Sequence, residues 1–404
     1  MKKCCVIGLG YIGLPTAALI AKSNNFVLGV DTNKKVVDTI NEGQVHFFEP
    51  GLENLVKETT EAKKFKASLT PSIAEVFIIA VPTPFKKNKG KIPEPDIQFV
   101  MSAARSISPY LKDGDLIIIE STSPVGTTEK VKKEIEKFVL CDIDKIHICY
   151  CPERVIPGNI INELVLNNRV IGGMNSDDAN VAKKFYKSFC KGEIQLTDVR
   201  TAELVKLTEN TFRDVNIALA NELSVICDVL NIDVYELINL SNQHPRVNIL
   251  KPGCGVGGHC IAIDPWFIAS ACPEITELIQ SARKVNNEKA EWVTKKILDE
   301  ASILKNRIAR KPKIGCLGLT FKPNVDDIRE SPAIKIVENL ISMDTDLLIC
   351  EPNLVDSKIF ELKSLNYVLE NSDIIVILVS HKEFKKVNFA KKLVLDFCGA
   401  NSLF

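Results

Sequence analysis

Charge imbalance is the first thing missing from this chain. Lys and Arg total 51 and Asp and Glu total 51 in 404 residues, so the formal net charge is zero. Without a global field, nothing draws the chain to nucleic acid or to an anionic membrane, and any anion it binds must be held by local groups. Long apolar runs are missing too, which argues against a membrane span. The start, Met-Lys-Lys-Cys-Cys-Val-Ile-Gly, joins a basic end to a short apolar run, yet glycines interrupt it and no cleavage region follows, so no secretory signal is expected. Histidine is scarce, with five spread along the sequence, and no Cys-x-x-Cys pair occurs, so no metal site is expected. Cysteine is not scarce. The thirteen cysteines are odd in number, and many sit in apolar segments (Cys4, Cys5, Cys149, Cys151, Cys316, Cys350). They read as buried thiols of a reducing compartment, the cytoplasm, and not as a disulfide framework.

What is present is a rhythm. Short apolar runs around Val6, Leu28, Ile78, Ile118 and Ile148 alternate with amphipathic stretches up to about residue 190, the pattern of βαβ units with a doubly covered, mostly parallel sheet. From about 200 to 240 the period becomes helical, with Leu204, Leu207, Ile217, Leu219, Leu223, Ile226 and Leu230 broadly on one side. Residues 241–272 are rich in Pro and Gly and carry loop signals throughout, and Ile275 to Ala301 reads again as one long helix or two joined ones. Lys313-Ile314-Gly315-Cys316-Leu317 restarts the strand rhythm, continued at Leu347–Cys350 and Ile374–Val379. The expected fold class is α/β: two Rossmann-like doubly wound sheet domains, 1–197 and 307–404, joined by a central helical region, 198–306, with a long helix.

Gly8-Leu9-Gly10-Tyr11-Ile12-Gly13 directly follows the first apolar run and opens an Ala-rich helix, the context in which G-x-G-x-x-G means dinucleotide binding. An isolated match would do no more than shape a turn. Here the first glycine permits the turn, the second admits the pyrophosphate, the third lets helix and strand pack closely, and the helix N-terminus offers N–H donors. Asp31 ends the next strand, 21 residues after Gly10. Its carboxylate suits the adenosine ribose hydroxyls and would repel the phosphate of NADP, so NAD is the expected cofactor. Thr83 in Val81-Pro82-Thr83-Pro84 and Thr122 in Glu120-Ser121-Thr122-Ser123-Pro124 stand at strand C-termini, where an open sheet binds its ligand.

Pro252-Gly253-Cys254-Gly255-Val256-Gly257-Gly258-His259-Cys260 places four glycines in nine residues, so backbone amides lie bare beside a cysteine. A cysteine picked blindly is a small buried hydrophobe. In this loop, beside a nicotinamide signal, Cys260 reads as a nucleophile. His259 points away from its neighbour on an extended segment and suits a structural or substrate-side role. Asp264 either returns to the site or begins a helix ahead of Pro265-Trp266 as an N-cap. Glu203, Lys206 and Asn210 share one helix face, which is either a solvated polar stripe or a place to stabilise an oxyanion. Glu153 in Cys151-Pro152-Glu153-Arg154 is a candidate for proton transfer, the plain alternative being a surface ion pair.

These motifs, with Glu49-Pro50-Gly51-Leu52, Pro124-Val125-Gly126-Thr127-Thr128 and Phe321-Lys322-Pro323-Asn324-x-Asp326-Asp327-x-Arg329-Glu330-Ser331-Pro332, resemble the UDP-glucose/GDP-mannose dehydrogenase family, in order and over nearly the whole chain. Phe212–Ala218, His244–Leu250 and Asp264–Phe267 look most like the members acting on UDP-N-acetyl-D-mannosamine, with UDP-N-acetylglucosamine and UDP-glucose as alternatives. A non-catalytic NAD sensor would leave Lys206, Glu153 and Cys260 without a reason to occur together. The resemblance implies oxidation of a sugar C6 alcohol to a carboxylate with two NAD+ reduced, through a thiohemiacetal and a thioester on Cys260. Lys206 and Asn210 match residues that hold the substrate oxygen, Asp264 an acid–base partner, and Glu153 and Thr122 groups that handle the hydrolytic water. Gly8, Gly10, Tyr11, Ile12, Gly13, Asp31, Thr83, Thr122 and Arg329 fall at cofactor positions. Arg154, Arg246, Asn248, Gly253, Gly257 and Lys322 fall at substrate positions. Cys254 sits where relatives often carry proline, which would loosen the loop or add a second thiol. A homodimer or higher homo-oligomer through the central helices is implied as well.

Overall fold

The computed structural model describes residues 1–86, 92–354, 359–385, 387–389 and 392–400. The chain divides into two compact units: Met1–Thr208 together with Trp266–Cys272, and Glu209–Pro265 together with Pro273–Phe404.

In the first unit, β1 (Lys3–Ile7), β2 (Phe26–Val30), β3 (Phe65–Ser68), β4 (Val76–Ile79), β5 (Leu116–Ile119), β6 (His147–Tyr150), β7 (Arg169–Gly173) and β8 (Ile194–Asp198) form one sheet. Their order is β3-β2-β1-β4-β5-β6-β7-β8. Neighbours are parallel except β6 and β7, which pair antiparallel. Each central strand is apolar throughout because both faces are covered. In β4, Val76 and Ile78 join Val6 and Ile118 in one core, while Phe77 and Ile79 join Ile7 and Ile119 in the other. The helix Gly13–Lys22 is buried from Gly13 to Ala21. Its glycine and alanines bring it close to the sheet. Strand order reverses between β1 and β4, and the crevice beyond their C-terminal ends is where such a sheet takes its ligand.

The helix Val199–Leu230 begins in the first unit, and its part from Glu209 belongs to the second. The second unit adds Val234–Ser241, capped by Asp233, and Glu277–Ile308. The latter is a single helix that ends on a left-handed Ala309, with Lys305 and Arg307 complementing the dipole of its last turn. The sheet of this unit, β9 (Lys313–Leu317), β10 (Asp346–Cys350), β11 (Ile374–Ile377) and β12 (Leu393–Asp396), is all parallel in the order β10-β9-β11-β12. Ile314, Cys316 and Val376 face one core, and Leu317, Ile375 and Ile377 the other.

The expected pair of doubly wound sheets with a long helix is present. The expectation of loop throughout 241–272 is corrected: Asp264–Ala271 is a helix. Many of the cysteines are buried. Burial pushes the thiols of Cys4, Cys5, Cys254, Cys316 and Cys350 up to about 12. Among the described residues, no helix is long and apolar enough to cross a membrane, and no group of three His, Cys, Asp or Glu is placed to hold a metal.

Candidate active site

The glycine turn after β1 divides its labour by available space. Gly8 has φ +93°, and a Cβ there would stand 2.5 Å from Ala80 O. A Cβ on Gly13 would be driven onto the Gly8 carbonyl, whereas at Gly10 nothing lies within 4 Å of that position. The turn is therefore closed on two sides and open on the third. Asp31 at the end of β2 accepts the Leu9 N–H at 3.1 Å and the Asn33 N–H at 2.9 Å, which fixes its carboxylate beside the turn. Tyr11 is partly exposed and its ring packs against Phe47, with centroids 4.3 Å apart. Ile12 is the residue before the helix Gly13–Lys22. An open Gly10, a helix N-terminus and a positioned acid fit a dinucleotide.

The two Thr-bearing strand ends are tied together, since Thr83 Oγ1 donates to Thr122 O at 2.6 Å. Beyond Thr122 the chain turns through Gly126 into the helix Thr127–Glu136, and Glu203 caps it. Its carboxylate accepts from Gly126 N at 2.6 Å, Thr128 N at 2.8 Å and Thr128 Oγ1 at 2.7 Å. A buried acid at a helix N-terminus is a structural clamp. The solvated-stripe reading of Glu203, Lys206 and Asn210 is thereby overturned, because the three are 0, 7 and 8% exposed.

Glu153 follows β6 and is not on the surface, so the surface ion-pair reading fails as well. Its Oε1 is buried with no hydrogen-bond partner among the described residues. Burial pushes its carboxyl up to about 7, with Lys206 and then Arg169 pulling it back. An orphaned carboxylate oxygen held near neutrality suits a group that takes a proton from water. Arg154 Nη1 donates to the Asn168 carbonyl at 3.0 Å.

In the second unit the glycine-rich loop is threaded against other backbone. Gly253 N donates to Asn221 Oδ1 at 2.9 Å, and Gly258 N donates to Arg329 O at 3.2 Å. A Cβ on Gly255 would come 2.9 Å from Asn286 O, one on Gly257 would strike Glu330 O, and one on Gly258 would lie 2.8 Å from the Phe321 ring. The loop delivers Cys260 to an exposed station. Asp264 N then donates to Cys260 O at 2.8 Å as the helix Asp264–Ala271 begins. The buried carboxylate of Asp264, at the start of that helix, accepts from Asn210 Nδ2 at 2.6 Å. Cys254 does not offer a reactive thiol: it is buried, and its Sγ donates to Leu378 O at 3.4 Å.

The second sheet reverses order between β9 and β11, and a cavity of about 400 Å³ opens beyond their ends. Lys251, Gly253, Phe321, Asn324, Ser380 and Lys385 line it. Glu351, at the end of β10, accepts from Leu319 N at 2.7 Å and from Thr320 N at 3.2 Å. Buried His381 lies 3.0 Å from the same carboxylate through Nε2, and its Nδ1 accepts from Asn324 N at 2.9 Å. These contacts set the rim of the cavity. Lys322 is half-buried, and Arg329 is exposed and paired with Asp327 at 2.5 Å. Arg246 and Asn248 are exposed.

Family models for the UDP-glucose/GDP-mannose dehydrogenase NAD binding, central and UDP binding domains match residues 2–190, 200–288 and 315–400. The chain belongs to this family. It is an NAD-dependent dehydrogenase of UDP-sugars. It is 49% identical to UDP-N-acetyl-D-mannosamine dehydrogenase of Campylobacter jejuni, over 98% of this chain and 99% of that protein. It is 45% identical to NDP-N-acetyl-D-galactosaminuronic acid dehydrogenase of Ralstonia nicotianae, over 98% and 95%. The solved UDP-D-ManNAc dehydrogenase of Pyrococcus horikoshii is similar in structure, with a TM-score of 0.88 at 40% identity, covering 98% of this chain and 96% of that one.

Several residues of the dehydrogenase that shape its site had no role assigned from sequence. Glu49 accepts from Gly158 N at 2.9 Å and Ile160 N at 2.8 Å, fastening the segment after Glu153. Glu351 and His381 had no sequence signal, because their partners are loop amides far away in the chain. Asn221, Asp214, Arg283 and Asn286 form a buried polar group. Asp214 falls in the quoted segment Phe212–Ala218, and the other three were hinted at only by polar spacing on otherwise apolar helices.

Proposed function

We propose that the enzyme oxidises C6 of UDP-N-acetyl-D-mannosamine to UDP-N-acetyl-D-mannosaminuronate, with Cys260 as nucleophile. NAD+ supplies the hydride acceptor in both oxidations. In the first, the C6 alcohol loses a hydride and its hydroxyl proton to give an aldehyde. The Cys260 thiolate adds to that carbonyl, forming a C–S bond, and the thiohemiacetal oxygen lies with the Lys206 ammonium and the Asn210 amide. Loss of the second hydride leaves a thioester. Water activated by Glu153, beside Thr122, then breaks the C–S bond and releases the carboxylate and the thiol. Covalent capture keeps the aldehyde carbon in place for its second oxidation.

The observation that carries this reading is the Asn210–Asp264 hydrogen bond of 2.6 Å, which fastens the carboxylate four residues after Cys260 to the helix bearing Lys206. Asp264 serves as the acid–base partner. Gly8, Gly10, Tyr11, Ile12, Gly13, Asp31, Thr83 and Arg329 hold NAD, while Arg154, Arg246, Asn248, Gly253, Gly257 and Lys322 hold the nucleotide sugar. The division 1–197, 198–306 and 307–404 follows these roles. The enzyme works in the cytoplasm as a homodimer through its central helices, a state supported by Phe212, Leu219 and Ile226, exposed at seven-residue spacing. Its product is a building block for polysaccharide.

The test is NADH release with limiting UDP-N-acetylmannosamine: two NADH per sugar are expected. Turnover only on the gluco or galacto epimer would overturn the substrate and keep the chemistry. The galacto sugar is the second reading, favoured by the 45% identity to the Ralstonia enzyme.

A further inference from the structure

The loop that carries Cys260 is tied to one helix at both ends, and only the Asp264 end figures in the proposed chemistry. Asn210 and Asn221 stand on the helix Val199–Leu230. Eleven residues make three turns, so both side chains leave the same face, about 16 Å apart along the axis. Asn210 Nδ2 donates to Asp264 Oδ2 at 2.6 Å, and Asn221 Oδ1 accepts the Gly253 N–H at 2.9 Å. The segment from Gly253 to Asp264 reaches up to about 36 Å when extended, more than twice the separation of its anchors. Four glycines make that span pliable; it is held midway at Gly258, whose N–H donates to Arg329 O at 3.2 Å, and the Asn221 tie fixes where it starts.

The orientation of Asn221 is dictated from outside. The Asp214 carboxylate only accepts; it takes Arg283 Nη1 at 2.6 Å and Asn286 Nδ2 at 2.8 Å. With its amide nitrogen committed there, Asn286 turns its oxygen outward, and Asn221 Nδ2 donates to it at 2.9 Å. The Asn221 oxygen is then left facing Gly253. All four residues are at most 2% exposed, so water does not scramble this polarity.

We propose that Asn221 is a positioning residue for the reaction: its oxygen, aimed by Arg283, Asp214 and Asn286, fixes the start of the loop and so the station of the Cys260 thiol. The inference rests on Cys260 being the nucleophile.

Asn221→Leu keeps the γ-branched shape in a larger side chain and has no acceptor. It should lower kcat about 100-fold while leaving KM for NAD unchanged, the size expected when a reacting group is displaced by about 1 Å. The Gly253 amide should lose its protection from hydrogen exchange. Asn221→Asp supplies a second arm. A protonated Asp accepts from Gly253 and donates to Asn286 Oδ1, whereas a carboxylate repels that oxygen. Its kcat relative to wild type should therefore fall as pH rises, a titration the wild type lacks. Asn221→Leu with kcat within about twofold of wild type and a protected Gly253 amide overturns the proposal. If that variant does not fold, a pH-independent kcat ratio in Asn221→Asp overturns it instead. Failure of the wild type to turn over UDP-sugar would sink the functional reading alone, since amide exchange at Gly253 needs no substrate.

Discussion

Nothing lies within 4 Å of the place a Cβ would take at Gly10, whereas at Gly255 it would come 2.9 Å from Asn286 O and at Gly258 2.8 Å from the Phe321 ring. The first glycine turn keeps a volume empty for an anion. In the second the missing side chains of Gly255, Gly257 and Gly258, though not of Gly253, are already filled by neighbouring backbone and rings, which makes that stretch a strap and not a cradle. Both read alike as sequence. Glycine content signals close approach, but at Gly255, Gly257 and Gly258 the approaching group is the protein itself, whereas Gly10 stays open.

That contrast can be broken in stages. Cys260→Ser removes the proposed nucleophile at the end of the strap. Overall flux should fall by about 10³-fold or more, with fewer than two NADH per sugar and NAD affinity intact; retained four-electron turnover would leave the strap a purely structural feature. On the first unit's side, Glu153→Gln should lower kcat about 100-fold and let a sugar thioester accumulate on Cys260, visible by intact-protein mass spectrometry. Wild-type thioester hydrolysis should rise with pH through about 7, where Glu153 ionises. The fold feels the same group with the opposite sign. Between the unfolded carboxyl value near 4.5 and about 7, the unfolded chain ionises while the folded one stays protonated. Wild-type stability is therefore lost as pH rises through that window, by about 3 kcal/mol in all. Glu153→Gln should melt higher than wild type at pH 8 and alike at pH 4, by calorimetry.

Gly257→Ala presses a methyl onto the Glu330 carbonyl and should cost about 1 to 3 kcal/mol of stability and lower kcat, leaving KM for NAD unchanged. Gly10→Ala should behave in the reverse way. Its methyl has room in the protein, so the melting transition should shift by less than about 1 kcal/mol, while KM for NAD rises about tenfold. If the two substitutions give the same pattern, cradle and strap are not distinct.

The sheets were legible because β1, β4, β5, β9 and β11 are buried on both faces and so nearly continuous in apolar residues. β8 was hidden because only its first residue is buried, and β7 because it ends in two glycines. The helix Asp264–Ala271 follows directly on the glycine loop and opens with Asp-Pro, which local signals alone do not separate from loop. At the site, Gly8 to Gly13 and Cys260 announced themselves. Glu203 did not, because a polar stripe at helical spacing looks solvated until Gly126 and Thr128 are brought to it from 75 residues or more away. Cys254 looked reactive by its neighbours in sequence and is inert by its neighbours in space.

The buried sulfur has a chemical consequence. A thiol titrating near 12 is ionised to about one part in 10⁵ at pH 7. Much of the chain's sulfur, Cys4, Cys5, Cys254, Cys316 and Cys350 included, is therefore silent to electrophiles, while Cys260 and Cys272 stand at the surface. With Cys260 in its proposed role, a warhead mounted on a nucleotide-sugar shape has one other exposed thiol, Cys272, to discriminate against, which makes this protein a clean target for covalent probes.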